Sequence, residues 1–392
     1  AWCVLSSVNA KNNQAGGLMN FDFSDDQKML KDQARKFLSE KCTTKTVRIV
    51  FEGSQHHDAA LWKQVAGMGW TGTAIPEEFG GLGLGYLELC VIAEEMGRAL
   101  APVPFSSTVY LFAEALLIAG SADQKKKYLP KVAAGELIGT FARAEGPGAV
   151  LPKNIRTTLK GGKLNGKKIA VIDGPIADYA VVLAQTAEGS GERGLQLALV
   201  DLKGAGVKRT QCETLDGSRG HSDIVFENAN AEPLGKPGEG WSDASRVLDR
   251  AAILLAFEQV GGADVCLAMA KDYALNRYAF GRPIASFQAI KHKLADMYVY
   301  NELARSNAYY GAWALSTGAR ELPLAAASAR VSATQAFDYA SKENIQTHGG
   351  IGFTWAMDCH FYYKRAKETG LVLGPQRAWK DKLVTELETS NA

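Results

Sequence analysis

Asn276-Arg277-Tyr278-Ala279-Phe280-Gly281-Arg282-Pro283-Ile284, followed closely by Phe287-Gln288, is the stretch from which the fold is read. It separates two long runs of helical text, residues 246–276 and 287–316, and a third run, 324–347, follows. None of the three is interrupted by an internal proline. Gly281 and Pro283 end the first helix, and Ser286 can cap the second. Long helices joined by short connections predict an antiparallel helical bundle. An arginine held at such a helix end suits bidentate contact with a phosphate or diphosphate. Taken alone, Arg277 and Phe280 read equally well as a surface arginine and a core phenylalanine at a helical hairpin.

The third run ends in Gln346-Thr347-His348-Gly349-Gly350-Ile351-Gly352-Phe353. Glycines here terminate the helix and allow a ligand to approach the backbone. Gln346 adds an amide with both a donor and an acceptor. Helix ends often carry glycine, so this motif gains its meaning only beside the first one.

Upstream, the pattern changes twice. Residues 137–240 carry short β-rich runs at 179–184, 195–200 and 222–226, bounded by Gly, Asp or Asn, and predict a small antiparallel β-domain. Residues 19–136 read as an N-terminal α-helical domain. Ser24 before Asp25 and Asp26 marks its first helix start, and Leu61 with Val65, then Leu89, Ile92, Ala93 and Met96, keep helical spacing. Residues 241–392 form the C-terminal bundle. Residues 1–18 differ in composition and read as a leader or an added extension, with the natural start near Met19.

Bulk composition sets limits. Forty-four basic against 42 acidic residues leave a formal charge of +2, which gives no basis for a nucleic-acid partner. No uninterrupted apolar run reaches membrane-spanning length. The six cysteines are scattered with no C-x-x-C pair, as expected in a reducing, cytoplasmic compartment. Gly80 to Gly85 precedes no Lys-Ser/Thr and is no P-loop, and no Gly-x-Ser-x-Gly elbow is present. His56-His57-Asp58, and His348 with Cys359 and His360, lack metal-ligand spacing, so no metal site is expected.

Taken together, Arg277-x-x-Phe280-Gly281-Arg282-Pro283-Ile284, the run Phe287-Gln288-Ala289-Ile290-Lys291-His292-x-Leu294-Ala295-Asp296-Met297, and Gln346-x-x-Gly349-Gly350-x-Gly352-Phe353 resemble the acyl-CoA dehydrogenase family. So do Phe23 to Leu38 and Pro76-Glu77-Glu78-Phe79-Gly80-Gly81-Leu82-Gly83. The resemblance is strongest to acyl-CoA dehydrogenases of bacterial steroid and other bulky-substrate catabolism. It implies a helical domain, a small β-domain and a C-terminal four-helix bundle, with FAD between the last two. It implies that Arg277, Phe280 and Gln288 reach the FAD of a neighbouring subunit, and that Gln346, Gly349 and Gly350 contact FAD across the same dimer. Dehydrogenation of an acyl-CoA thioester to the 2-enoyl-CoA follows, with electrons passed to an electron-transfer flavoprotein and assembly as a homotetramer or an α2β2 heterotetramer.

The chain departs from the family pattern at several places, one of them Trp355-Ala356, where relatives often read Trp-Glu. Arg143-Ala144-Glu145-Gly146-Pro147 stands where relatives have Thr-Glu-Pro near the flavin, and Lys168-Ile169-Ala170-Val171-Ile172-Asp173-Gly174 where they have Trp-Ile-Thr. Proton abstraction from the α-carbon needs a carboxylate. Many relatives place a glutamate before a glycine late in the chain, here Leu373-Gly374. Others place it on the first bundle helix, near Ala251. Glu258 lies two helical turns beyond Ala251 on nearly the same face, in apolar surroundings that raise a carboxylate pKa. Glu258 is therefore the expected base, against a buried glutamate paired with an arginine, a base at Asp249, or no base. Arg250, with Arg246, can meet the CoA phosphates or pair with Asp243 or Asp249. The open alternatives are a half-site subunit of an α2β2 enzyme and an oxygen-using flavoenzyme on the same fold, namely an acyl-CoA oxidase, nitroalkane oxidase or monooxygenase.

Overall fold

Ser24 opens the described chain with a reciprocal cap: its hydroxyl accepts from Gln27 N–H, and the Gln27 side chain accepts from Ser24 N–H. The structure, a computed structural model, describes residues 23–186 and 191–390. The leader reading of residues 1–18 and the start at Met19 lie outside them.

The N-terminal domain contains α1 (Asp25–Lys41), α2 (Thr44–Glu52), α3 (Ala59–Gly67), α4 (Tyr86–Arg98), α5 (Glu114–Ala119) and α6 (Ala122–Ala133). Asp58, from the His-His-Asp triplet, is the N-cap of α3. Between α4 and α5 runs a fully buried π-helix, Ser106–Ala113. This rare winding, often found at functional sites, turns Tyr110 and Leu111 toward internal cavities.

Seven strands follow: β1 (Gly139–Ala142), β2 (Thr158–Lys160), β3 (Lys163–Ile172), β4 (Tyr179–Gln185), β5 (Leu195–Asp201), β6 (Val207–Cys212) and β7 (His221–Leu234). Most pairings are antiparallel, but β1 and β2 meet β4 in parallel. The pairings β4–β5–β7–β3–β2 return to β4, so the sheet closes on itself. Alternation divides β4 between two cores. Ala180, Val182 and Ala184 fill the closed sheet, while Val181 and Leu183 face the main core shared with the helices.

The C-terminal domain is built on α7 (Gly240–Asn276), α8 (Gln288–Thr317) and α9 (Leu322–His348), flanked by α10 (Cys359–Leu371) and α11 (Gln376–Ser390). The three long helices lie within a few residues of the sequence prediction. Ser286 does not cap α8: the N-cap is Phe287 with no side-chain bond, because a short 3-10 turn, Ile284–Ser286, intervenes. α7 is long and apolar enough to cross a membrane, yet α4, α8, α9 and α10 cover it. A helix buried on all sides must be apolar on all sides. Each of Ile253, Leu254, Leu255 and Phe257 is buried and contributes about 2 kcal/mol of transfer free energy.

Helices α4 and α7 touch through backbone. A Cβ on Gly97 would lie 1.8 Å from the Glu258 carbonyl oxygen, and one on Gly261 2.0 Å from that of Glu94. Only glycine permits this approach, which fixes the height of Glu258 relative to the N-terminal domain.

Candidate active site

The two motifs of the last third meet at one end of the bundle. α7 stops at Asn276, and Tyr278–Ala279 pairs with Arg282–Pro283 as a tight hairpin, β8 and β9. At its tip Phe280 and Gly281 both have positive φ, 53° and 78°. Tyr273, one turn before Arg277, stacks on His348 at 4.2 Å between ring centroids. Lys293 of α8 pairs with Glu343 of α9 at 2.7 Å. The end of α7, the start of α8 and the end of α9 are thereby held side by side.

Arg277, Gln288 and Gln346 are all exposed there, and Phe280 is 95% exposed. Its one aromatic contact among the described residues is edge-to-face with Phe287, at 6.3 Å between ring centroids, which leaves the rest of the ring open to a ligand. A Cβ on Gly281, Gly349 or Gly350 would meet nothing within 4 Å, so the space beside them is open. Gly349 also needs its φ of 63° to leave α9. A cation, two primary amides, a bare aromatic ring and an open glycine turn fit the diphosphate and ring systems of a dinucleotide such as FAD.

A cavity of about 530 Å³ lies between the closed sheet and the C-terminal helices. Its walls include Arg143, Ala144 and Ile169 to Ile172 on the sheet side, and Glu368 with Leu371 to Gly374 on the other. These sheet segments are the ones where the sequence departs from the family pattern. Ala144, Ala170 and Ile172 present no polar side chain. Ala170, with φ 49°, sits at an irregularity in the β3–β7 register and donates its N–H to Asp223 Oδ1 at 3.1 Å. A flavin ring against these two segments would be held by shape and backbone, with polar side chains offered by Arg143, Thr214 and His221 elsewhere on the sheet side.

Five ionisable side chains line the cavity, Arg143, Asp216, His221, Lys367 and Glu368, and Lys367 is turned to Asp338. Arg143 has no acidic partner among the described residues, and burial pushes its guanidinium down to about 10. Asp216 accepts from Arg365 Nε at 2.6 Å, Ser218 Oγ at 2.5 Å and Ser218 N–H at 3.0 Å. The cation and these donors hold it below the usual carboxylate range despite burial. Glu368 is different. Its side chain is 6% exposed, and neither carboxylate oxygen has a hydrogen-bond partner. Burial pushes it up, only partly opposed by Arg219, His221 and Arg365. His221 Nε2 stands 3.8 Å from Glu368 Oε1, and His221 Nδ1 is unpartnered.

Glu258 is buried in the middle of α7, but it lines neither this cavity nor the two smaller ones beside it. Its Oε1 faces Arg365 Nη1 at 3.7 Å, and burial pushes its carboxyl up. The structure therefore sets it against an arginine under the cavity. Ala251 and Leu373, far apart in sequence, line one small space of about 10 Å³ with Ser106, Tyr110 and Leu255. Two alternative places for a base thus converge, and both are apolar in this chain. Arg250 pairs with neither predicted aspartate. It donates to Tyr86 Oη at 2.7 Å and to Glu114 at 3.0 Å. Arg246 pairs with Asp243 at 3.4 Å, and Asp249 with Lys382, which leaves Asp249 pushed up to about 6 by burial.

Sequence reasoning missed Arg143 and Glu368 as site residues. Lys364-Arg365-Ala366-Lys367-Glu368 is dense in charge and gives no local sign of burial, yet the docking of α10 buries Arg365 and Glu368.

Comparison with known proteins follows the same outline. A family model described as the acyl-CoA dehydrogenase N-terminal domain matches residues 24–136, and one described as the acyl-CoA dehydrogenase C-terminal domain matches residues 238–377. The chain is 32% identical to the acyl-CoA dehydrogenase IpdE2 of Mycobacterium tuberculosis, over 93% of this chain and 98% of that one. Among solved structures it is similar to butyryl-CoA dehydrogenase from Megasphaera elsdenii, with a TM-score of 0.87, 26% identity and coverage of 94% and 100%. It is also similar to a chain of the ChsE4-ChsE5 complex from Mycobacterium tuberculosis, with a TM-score of 0.85, 27% identity and coverage of 94% and 99%.

Proposed function

The chain belongs to the acyl-CoA dehydrogenase family of FAD-dependent oxidoreductases, and from that membership we propose that it takes part in α,β-dehydrogenation of a bulky acyl-CoA, of the steroid-catabolic kind, to the 2-enoyl-CoA. The observation that carries this reading is the pairing of an internal cavity, walled by the sheet domain and α10, with an open, exposed dinucleotide end on the bundle.

Arg277, Gln288, Gln346, Gly349 and Gly350 would hold FAD from across a dimer, with Phe280 stacked beside it. When bound, FAD supplies the acceptor for a hydride from the β-carbon. The chain's own part is to enclose the acyl group among Leu111, Phe141, Leu248 and Leu371, away from water, and to receive the α-proton on a carboxylate. An electron-transfer flavoprotein is the proposed electron acceptor.

A second reading is favoured by a specific observation. Both usual base positions are apolar, at Ala251 and Leu373, and the sheet wall lacks polar flavin contacts at Ala144, Ala170 and Ile172. In this reading the chain is the half-site subunit of an α2β2 enzyme and lends its bundle end to the FAD of a different chain; in the first, it is a homotetramer.

The test is anaerobic incubation of the FAD-loaded protein with a panel of linear and ring-bearing acyl-CoAs and an artificial electron acceptor. A thioester product lighter by two hydrogens supports the first reading. Turnover that appears only with a second chain supports the other, and a protein that binds neither FAD nor thioester under any pairing contradicts both.

A further inference from the structure

The reaction needs a carboxylate that faces the acyl group, carries no permanent counter-ion and has a raised affinity for a proton. Resting on the dehydrogenase reading above, we infer that Glu368, rather than a residue at either usual position, is the proton acceptor of this chain.

Three observations converge on it. Among the described residues only two carboxylates line the cavity, Asp216 and Glu368. Asp216 is committed to Arg365 and Ser218, so it cannot take up a proton without breaking a buried ion pair. Glu368 has both oxygens unpartnered although its side chain is almost wholly buried. A native fold does not ordinarily bury a carboxyl without hydrogen bonds, because each missing partner costs free energy. Such a group marks the place of an external partner.

Its position in the chain agrees. Glu368 lies on the last turn of α10, five residues before Leu373, which stands just past the helix end and lines the adjoining small cavity with Ala251 and Tyr110. A carboxylate on the helix rather than in the turn after it can serve a bulkier acyl group whose α-carbon sits elsewhere in the cavity. The charged and titratable groups that face it are His221 at 3.8 Å and, through the electrostatic field, Arg219, Arg365, Arg330, Asp216 and Glu258. Burial makes this carboxylate a stronger base than one in water, and the cations oppose that only in part.

The step balances. The α-carbon C–H bond breaks, and its electron pair becomes the second bond between the α- and β-carbons. The β-hydrogen leaves with its own pair to FAD, and the α-proton ends on a Glu368 oxygen.

The test separates proton abstraction from hydride transfer. The holoprotein is incubated in D2O with butyryl-CoA and with cyclohexylpropionyl-CoA, and deuterium uptake at the α-carbon is read by mass. Wild type should exchange the α-hydrogen of at least one probe. Glu368→Gln should slow exchange about 100-fold or more with thioester binding unchanged, and Glu368→Asp should restore part of it. Folding of Glu368→Gln is checked by its melting temperature, which should not fall. Exchange that survives in Glu368→Gln overturns the assignment, above all if Glu258→Gln abolishes it. A wild type that binds thioester but exchanges nothing also overturns it and leaves the half-site reading. A wild type that binds neither FAD nor thioester refutes the dehydrogenase reading itself.

Discussion

Arg365 and Glu368 stand one turn apart on α10, and only the first is hydrogen-bonded to a group of opposite charge. Arg365 Nε lies 2.6 Å from Asp216 Oδ2, whereas neither Glu368 oxygen has a hydrogen-bond partner. One helix turn therefore carries both the clamp that joins the bundle to the sheet domain and the free carboxylate of the cavity.

Glu368→Gln should stabilise the fold. Burial raises the Glu368 pKa above its unfolded value of about 4.3. The folded state then holds the proton more tightly, so this group's contribution is fully present below the unfolded pKa and is lost as pH rises through the raised folded value. Denaturant titration at pH 8 should show the variant more stable than wild type by about 1–2 kcal/mol, and the difference should shrink near pH 4. An unchanged difference across that range would mean that Glu368 is hydrated or paired in solution.

Asp216→Asn should have the opposite effect. It leaves the Arg365 guanidinium buried opposite a neutral amide, and breaking one side of a buried pair costs about 3–5 kcal/mol. The loss should appear as a lower unfolding midpoint and as earlier proteolysis between β6 and β7, where Asp216 lies.

Gly97→Ala tests the backbone contact of α4 with α7. The added methyl would stand 1.8 Å from the Glu258 carbonyl oxygen, so the two helices must move apart. Destabilisation of about 2 kcal/mol or more is expected in thermal unfolding. A neutral substitution would show that this approach is looser than described.

Arg277→Met and Gln346→Leu should lower bound flavin per chain while leaving the apo-protein's melting temperature within a degree or so, since both side chains are exposed at the bundle end. Flavin absorbance against protein absorbance after gel filtration reads the effect directly.

Much of this molecule was legible beforehand, for identifiable reasons. Ser24 and Gln27 announce the first helix by a purely local cap, and the long helices carry their ends in Gly281, Pro283 and the Gly349 turn. That the Arg277 and Gln346 motifs lie at helix ends was legible because they carry their own glycine and proline stops. The cavity was not, because burial there is decided by contacts between domains. Glu114 reaches Arg250 from the N-terminal domain, and Asp216 reaches Arg365 from the sheet domain. Neither partner can be found from helix periodicity. Glu258 looked available because its neighbours in sequence are apolar, yet its neighbour in space is Arg365.

The most direct test of the central claim is the visible spectrum of the purified protein, before and after anaerobic addition of linear and ring-bearing acyl-CoAs. Flavin bands that bleach with one class of thioester are the predicted result, and that class identifies the acyl group. A colourless protein that FAD cannot reconstitute, alone or with a second chain of the same family, would contradict it.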